Sequence, residues 1–188
     1  MTTLVFFLEE ESAKFMLESF LPKIIPDEYE TQFIVFEGKS DLDKKITKRL
    51  KYWRKPDCKF VVLRDQDNAD CKVVKNDLLE KCRNANQNQV LIRIACTELE
   101  SWYFGDFDAI QNGLEISLIQ KYRNKAKYRK PDSIIKPSQE LMKITKGKYQ
   151  KRSGSREIGK HLSVDGNRSI SFNVFIQGIK NICVVKLE

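Results

Sequence analysis

In the stretch KFVVLRDQDNADC, residues 59–71, an apolar run from Phe60 to Leu63 leads without a glycine into Arg64, Asp65, Gln66 and Asp67. Leu4–Leu8 likewise leads into Glu9, Glu10 and Glu11, and Val90–Ile94 is followed by Glu98 and Glu100. Carboxylates gathered at one place repel each other and hold protons unless a cation sits among them. Magnesium suits such a set, because it is content with one or two carboxylates plus water and phosphate oxygens. Manganese is the expected substitute. Calcium would want more protein oxygens, and zinc would want histidine or cysteine. One or two magnesium ions polarise a phosphodiester and supply a hydroxide nucleophile.

Asp-x-Asp alone carries little information, and it occurs three times: Asp41/Asp43, Asp65/Asp67 and Asp106/Asp108. The first pair sits where a helix should begin and suits its dipole. The third follows Gly105. Only Asp65/Asp67 comes directly off an apolar run. An extended backbone puts residues i and i+2 on one side, so both aspartates are expected to face one site. Glu98 has an ordinary role open to it, at a helix N-terminus capped by Thr97. For Glu100 that role and a metal-ligand role are both open.

These acids need elements to position them. Four apolar runs read as strands: Leu4–Leu8, Phe33–Phe36, Phe60–Leu63 and Val90–Ile94. None alternates with polar residues, as expected of strands covered on both faces. Between them, Ala13, Met16, Leu17, Phe20 and Leu21 keep helical spacing; so do Leu42, Ile46, Leu50 and Trp53, and Val74, Leu78 and Cys82. Ser40 with Asp43 is a candidate N-terminal cap for the second helix. Strands alternating with helices imply a parallel sheet with right-handed crossovers. In such sheets ligands bind at the carboxyl ends of the strands. With strand order 2-1-3-4, Glu9 meets the aspartate pair there.

Beyond residue 95 the strand-like runs give way to helical spacing, broken near Gly105, with helices expected at 137–145, 155–162 and 169–183. Trp102, Tyr103 and Phe104 read as core. Residues 121–160 hold 14 Lys/Arg against three Asp/Glu, a net of +11 in a chain of net +8, which leaves −3 elsewhere. That asymmetry suits a polyanion such as nucleic acid. Within it, KGKYQKRSGSREIGKHL supplies Lys148, Lys151, Arg152 and Arg156 as backbone-binding candidates. Its small residues would let N–H groups approach phosphate, and a helix starting near Ser155 would point its positive end there.

Two blocks carry a resemblance. LVFFLEEESAK and FVVLRDQD resemble the Toprim domain over about residues 1–105. The resemblance implies Glu9, Asp65 and Asp67 as the magnesium-holding catalytic set, with Glu10 standing where that family usually has glycine. FEGKSDL, LRDQD, ELESWYFGD and YQKRSGSREIGKHL extend the likeness over nearly the whole chain, to OLD-related prokaryotic Toprim-like proteins often encoded beside AAA- or ABC-type ATPases. The expectation is an α/β fold with a Toprim-like open parallel four-stranded sheet flanked by helices. Residues 1–105 would form the core, and 106–188 a mostly helical basic extension packed on it. The function implied is magnesium- or manganese-dependent cleavage of DNA or RNA, in antiphage defence with an ATPase partner. Glu100 would be an auxiliary ligand. A non-catalytic adaptor that binds an ATPase or nucleic acid is the alternative.

Composition removes other classes. The single histidine, His161, and the lack of any C-x-x-C pair argue against histidine-rich metal sites and zinc clusters. Five cysteines, an odd number, fit a reduced cytoplasmic protein better than a disulfide framework. No apolar run approaches the roughly 20 residues that span a bilayer. Glycine-rich nucleotide-binding motifs are missing, which argues against ATP hydrolysis within the chain.

Overall fold

The structure is a computed structural model that describes residues 1–184. Four parallel strands, β1 (Thr2–Leu8), β2 (Tyr29–Val35), β3 (Cys58–Asp65) and β4 (Val90–Ala95), form one open sheet in the order β2-β1-β3-β4. Helices α1 (Glu11–Phe20), α2 (Lys39–Lys51) and α3 (Cys71–Arg83) make the crossovers. The strand order is the one the acidic clusters required.

The central strands explain the unbroken apolar runs. In β1, Leu4, Phe6 and Leu8 point to one face, while Val5 and Phe7 point to the other; all five are fully buried. Val61 and Leu63 against Phe60 and Val62 repeat this in β3. α2 and α3 cover the second face with Leu42, Ile46, Leu50, Val74, Leu78 and Cys82. α2 starts at Lys39 behind Gly38, whose φ of 96° is left-handed, and no side chain caps it. The expected Ser40 cap is therefore corrected: Ser40 already lies inside the first turn. Asp41 instead accepts a hydrogen bond from the Glu37 N–H at 3.2 Å.

The first face is covered by α1 and by the later helices: α4 (Glu100–Phe104), α5 (Phe107–Leu114), α6 (Pro137–Ile144), α7 (Lys151–His161) and α8 (Ile170–Val184). Short 3₁₀ turns occupy much of the stretch between α5 and α6. Trp102, Tyr103 and Phe104 are fully buried, as expected. The Trp102 ring packs on Phe172 and Phe175 of α8 at 5.2 and 5.0 Å, and its Nε1 donates to Ser171 Oγ at 2.9 Å. One apolar cluster thus joins strand residues to Phe172, Phe175, Ile176 and Ile179. With α1, the later part of the chain forms one of the two helical layers that cover the sheet. Residues 185–188, the end of the expected extension, lie outside the described part.

α7 differs from expectation at its start. It begins at Lys151, one turn before Ser155, so Gly154 and Ser155 are buried helix residues. A Cβ at Gly154 would meet the Tyr149 ring at 2.5 Å, and one at Gly159 would meet the Met16 backbone oxygen at 2.7 Å. These small residues serve close packing of α7 and do not cradle a phosphate. Glycine inside a helix is unfavourable by about 1 kcal/mol, which is why the segment reads as a loop in sequence.

Candidate active site

β1 ends at Leu8, register partner of both Val35 and Leu63, and β3 ends at Asp65, partner of Ala95. The residues that follow these strands therefore share one edge. Glu9 Oε2 accepts a hydrogen bond from the Asp65 backbone N–H at 3.2 Å, which ties the acids of β1 and β3 together. Arg64 stands behind them. Its Nη1 donates to both Asp43 oxygens at 3.0 Å, and its Nε lies 4.0 Å from Glu9 Oε2.

Asp65 and Asp67 lie on this rim, but not by simple alternation. The strand ends at Asp65, and Asp67 takes a left-handed φ of 56°, which aspartate tolerates better than most residues. The Asp67 N–H donates to Thr97 O at 2.9 Å, and its carboxylate takes Lys39 Nζ at 2.7 Å. That bond, with the charge of Asp67, raises the Lys39 pKa.

Glu100 opens α4 and is fully buried. Tyr149 Oη donates to its Oε1 at 2.7 Å and lies 3.1 Å from Ser155 Oγ. Its second oxygen, Oε2, is buried without a hydrogen-bond partner. Thr97 does not cap α4: its hydroxyl donates to Ile134 O, and Leu99 holds the cap position. Glu98 Oε2 accepts from the Ser138 N–H at 2.9 Å, in the first turn of α6. It serves a helix N-terminus, though not that of α4.

Burial first, and the neighbouring charges second, set the pKa directions of these groups. Burial raises the Glu9 pKa, reinforced by Asp67 and Glu10 and opposed by the Asp65 N–H and by Arg64. Asp65 lies well above the ordinary carboxylate range, through burial and then the charges of Glu100, Glu9 and Glu10. Burial pushes Glu100 up to about 7, against the pull of Lys151 and the Tyr149 hydroxyl. For Lys151 burial works against the charge, yet Glu100, Glu10 and Asp65 outweigh it and raise the pKa. Lys151 Nζ sits 3.1 Å from Glu10 Oε2, while Ser12 Oγ donates to Glu10 Oε1 at 2.6 Å.

The four expected backbone-binding cations separate. Lys151 and Arg152, with Glu10, Glu11, Phe36 and Gly38, line a cleft of about 650 Å³ beside the acids. Arg152 pairs with Glu11 at 2.7 Å. Arg156, a turn further along α7, lies over the Phe15 ring and 3.9 Å from Glu18. Lys148 is exposed and reaches Glu115 O at 3.4 Å. The buried Tyr149–Ser155 pair behind Glu100 was not legible in sequence. A tyrosine between lysines in a glycine-containing stretch looks like solvated loop, and only the α7 packing buries it.

An all-oxygen donor set of Glu9, Glu10, Asp65, Asp67 and Glu100, with the unpartnered Glu100 Oε2 among them, has the chemistry magnesium requires. Among the described residues, no three acidic, histidine or cysteine side chains already close on one point as an ion site.

Known proteins resemble this chain in fold. The C-terminal region of the Burkholderia pseudomallei OLD protein superposes with a TM-score of 0.59 at 14% identity, over 96% of this chain and 98% of that one. The C-terminal region of the Xanthomonas campestris pv. campestris OLD protein gives 0.52 at 13% identity, over 96% and 95%. At these identities the likeness is one of fold, and the architecture is the Toprim-like one found in those regions. No curated protein matches by sequence. The family model described as "Domain of unknown function (DUF4276)" matches residues 8–180, and the chain belongs to that family.

Proposed function

We propose that the chain cleaves phosphodiester bonds of DNA or RNA with bound magnesium, or manganese in its place. Glu9, Asp65 and Asp67 would hold the ion and Glu100 would assist. The observation that carries this reading is the gathering of carboxylates on the edge shared by β1, β3 and α4, with Glu9 held on the Asp65 N–H and Glu100 Oε2 buried without a partner. A fold does not need like charges there, and they raise one another's pKa values. When bound, the ion supplies a polarised phosphodiester and a hydroxide nucleophile.

The chain's own residues do the rest. The Asp65 N–H fixes Glu9, and the Tyr149 hydroxyl orients Glu100. Lys151 places a cation at the mouth of the cleft, positioned to oppose charge developing on a phosphoryl group. Lys148, Arg152 and Arg156 would hold the flanking backbone once it displaces their present partners. An ATPase partner, a cytoplasmic setting and a role in antiphage defence belong to the same proposal and rest on the resemblance. Among the described residues no helix is long and apolar enough to cross a membrane.

The test is cleavage of plasmid, single-stranded DNA and transfer RNA with and without magnesium, alone and with any AAA- or ABC-type ATPase encoded beside it. Asp65→Ala should abolish cleavage. Magnesium at about 100 times its Kd should stabilise the wild type by roughly 2.7 kcal/mol, and Asp65→Ala should lose that gain. Cleavage by Asp65→Ala at the wild-type rate overturns the site. The adaptor reading has one observation in its favour: Arg64, Lys39 and Lys151 already act as counter-ions to the acids. It requires no stabilisation by magnesium.

A further inference from the structure

A second basic surface lies at the other end of the sheet. Residues 44–55, KKITKRLKYWRK, hold seven Lys/Arg and no acid, in a part of the chain whose overall charge is close to balanced. They run from the last turns of α2 into the segment before β3. There they line a cavity of about 700 Å³ whose wall includes Lys48, Arg49, Tyr52, Trp53 and Arg54. Lys45 and Lys55 at its margin pair with Asp41 and Glu30. Lys48, Arg49 and Arg54 have no carboxylate partner among the described residues. Tyr52 is 58% exposed. Trp53 packs edge-on against Phe7 and Phe60 at 6.0 and 5.5 Å, and its indole N–H is buried without a hydrogen-bond acceptor.

A helix C-terminus favours cations, and that accounts for Lys48, Arg49 and Lys51. It does not account for Arg54, which lies beyond the helix, or for the solvent-exposed Tyr52 ring that lines the same cavity as the anchored Trp53 indole. Unneutralised cations on a concave wall, with an exposed ring beside them, match what a single nucleic-acid strand presents: phosphates in a row and flat bases. A flat protein partner would not need the ring in a cavity, and a duplex could not offer a base face.

We propose that this cavity is a second nucleic-acid site, which holds the backbone of a single strand on Lys48, Arg49 and Arg54 and stacks a base on Tyr52. α2 spans 13 residues from the carboxylate edge, about 20 Å at 1.5 Å per residue. The cavity therefore anchors a strand away from the carboxylates. This binding does not depend on the proposed cleavage.

Fluorescence anisotropy in EDTA tests it, with labelled oligo-dT and oligo-U of about 20 nucleotides and a matching duplex, at about 50 and 200 mM salt. Lys48→Ala/Arg49→Ala/Arg54→Ala should weaken single-strand binding at least about tenfold and lower the salt slope by about 2, near 0.7 per phosphate contact. Tyr52→Ala should weaken it by about tenfold with the slope unchanged. All four side chains are exposed, so thermal unfolding should confirm that both variants are folded. Because the assay is run in EDTA, single-strand binding and its loss in the triple variant should appear whether or not the protein cleaves, which separates this site from any failure of the cleavage reading. A triple variant with wild-type affinity and slope overturns the site. Duplex bound as tightly as single strands, with no effect of Tyr52→Ala, overturns the single-strand assignment.

Discussion

Glu100 keeps one oxygen on the Tyr149 hydroxyl and leaves the other buried and unpartnered, so ionising it without a metal is costly. Its pKa is raised from 4.5 to about 7. Below pH 4.5 the group is protonated in both folded and unfolded chains and exerts no differential effect. Between 4.5 and 7 the folded chain keeps a proton the unfolded chain has lost, so stability falls as pH rises. Above 7 the loss is complete, at roughly 3 kcal/mol. Glu100→Gln, followed by urea unfolding in EDTA, should remove that fall. Its stability relative to wild type should therefore improve from pH 4.5 to 7.5. A parallel pair of pH curves would refute the assignment. Asp65 and Glu9 are raised in the same direction, so the Glu100→Gln curve should retain some slope of its own.

At the scale of elements, the seam between α1 and α7 depends on the absence of side chains. Gly159 brings α7 against the Met16 backbone, and a Cβ added at Gly113 of α5 would meet the Ile158 backbone nitrogen at 2.7 Å. Gly159→Ala gains up to about 1 kcal/mol of helix propensity but forces the backbones apart, a cost of about 1–3 kcal/mol. A net loss of stability should appear as a lower urea midpoint, and a gain would mean the seam can open. The strands and first three helices were legible because the central strands are apolar on both faces and the helices are amphipathic. The acidic edge was legible because strand order alone places it. The start of α7 was not, since the glycines that look like loop are close-packing positions, Gly154 against the Tyr149 ring and Gly159 against a helix some 140 residues earlier. For the same reason Tyr149 was invisible as a support for Glu100. The basic surface on α2 was hidden by a charge balance taken over too long a stretch.

Over the whole molecule, the sheet owns only half of its cover. One face is closed by α2 and α3, the other by α1 and the helices after residue 99. The fragment 1–105 should therefore fail to fold alone, and its amide NMR spectrum should lack dispersion; a dispersed spectrum would make the later helices a true appendage. Phe175→Ala, which removes a fully buried ring packed on Trp102, should destabilise the full chain by about 3–5 kcal/mol in calorimetry or urea unfolding.

This division of cover has a bearing on biosynthesis. The fourth strand is complete at residue 95, whereas Ile179, the last fully buried residue of α8, comes 84 residues later. At about 5–20 residues per second, a ribosome needs roughly 4 to 17 s to bridge that gap. During this interval the part of the first sheet face that α1 does not cover stands exposed on the nascent chain. Chaperones that shield apolar surface on a nascent chain should therefore raise the yield of native protein.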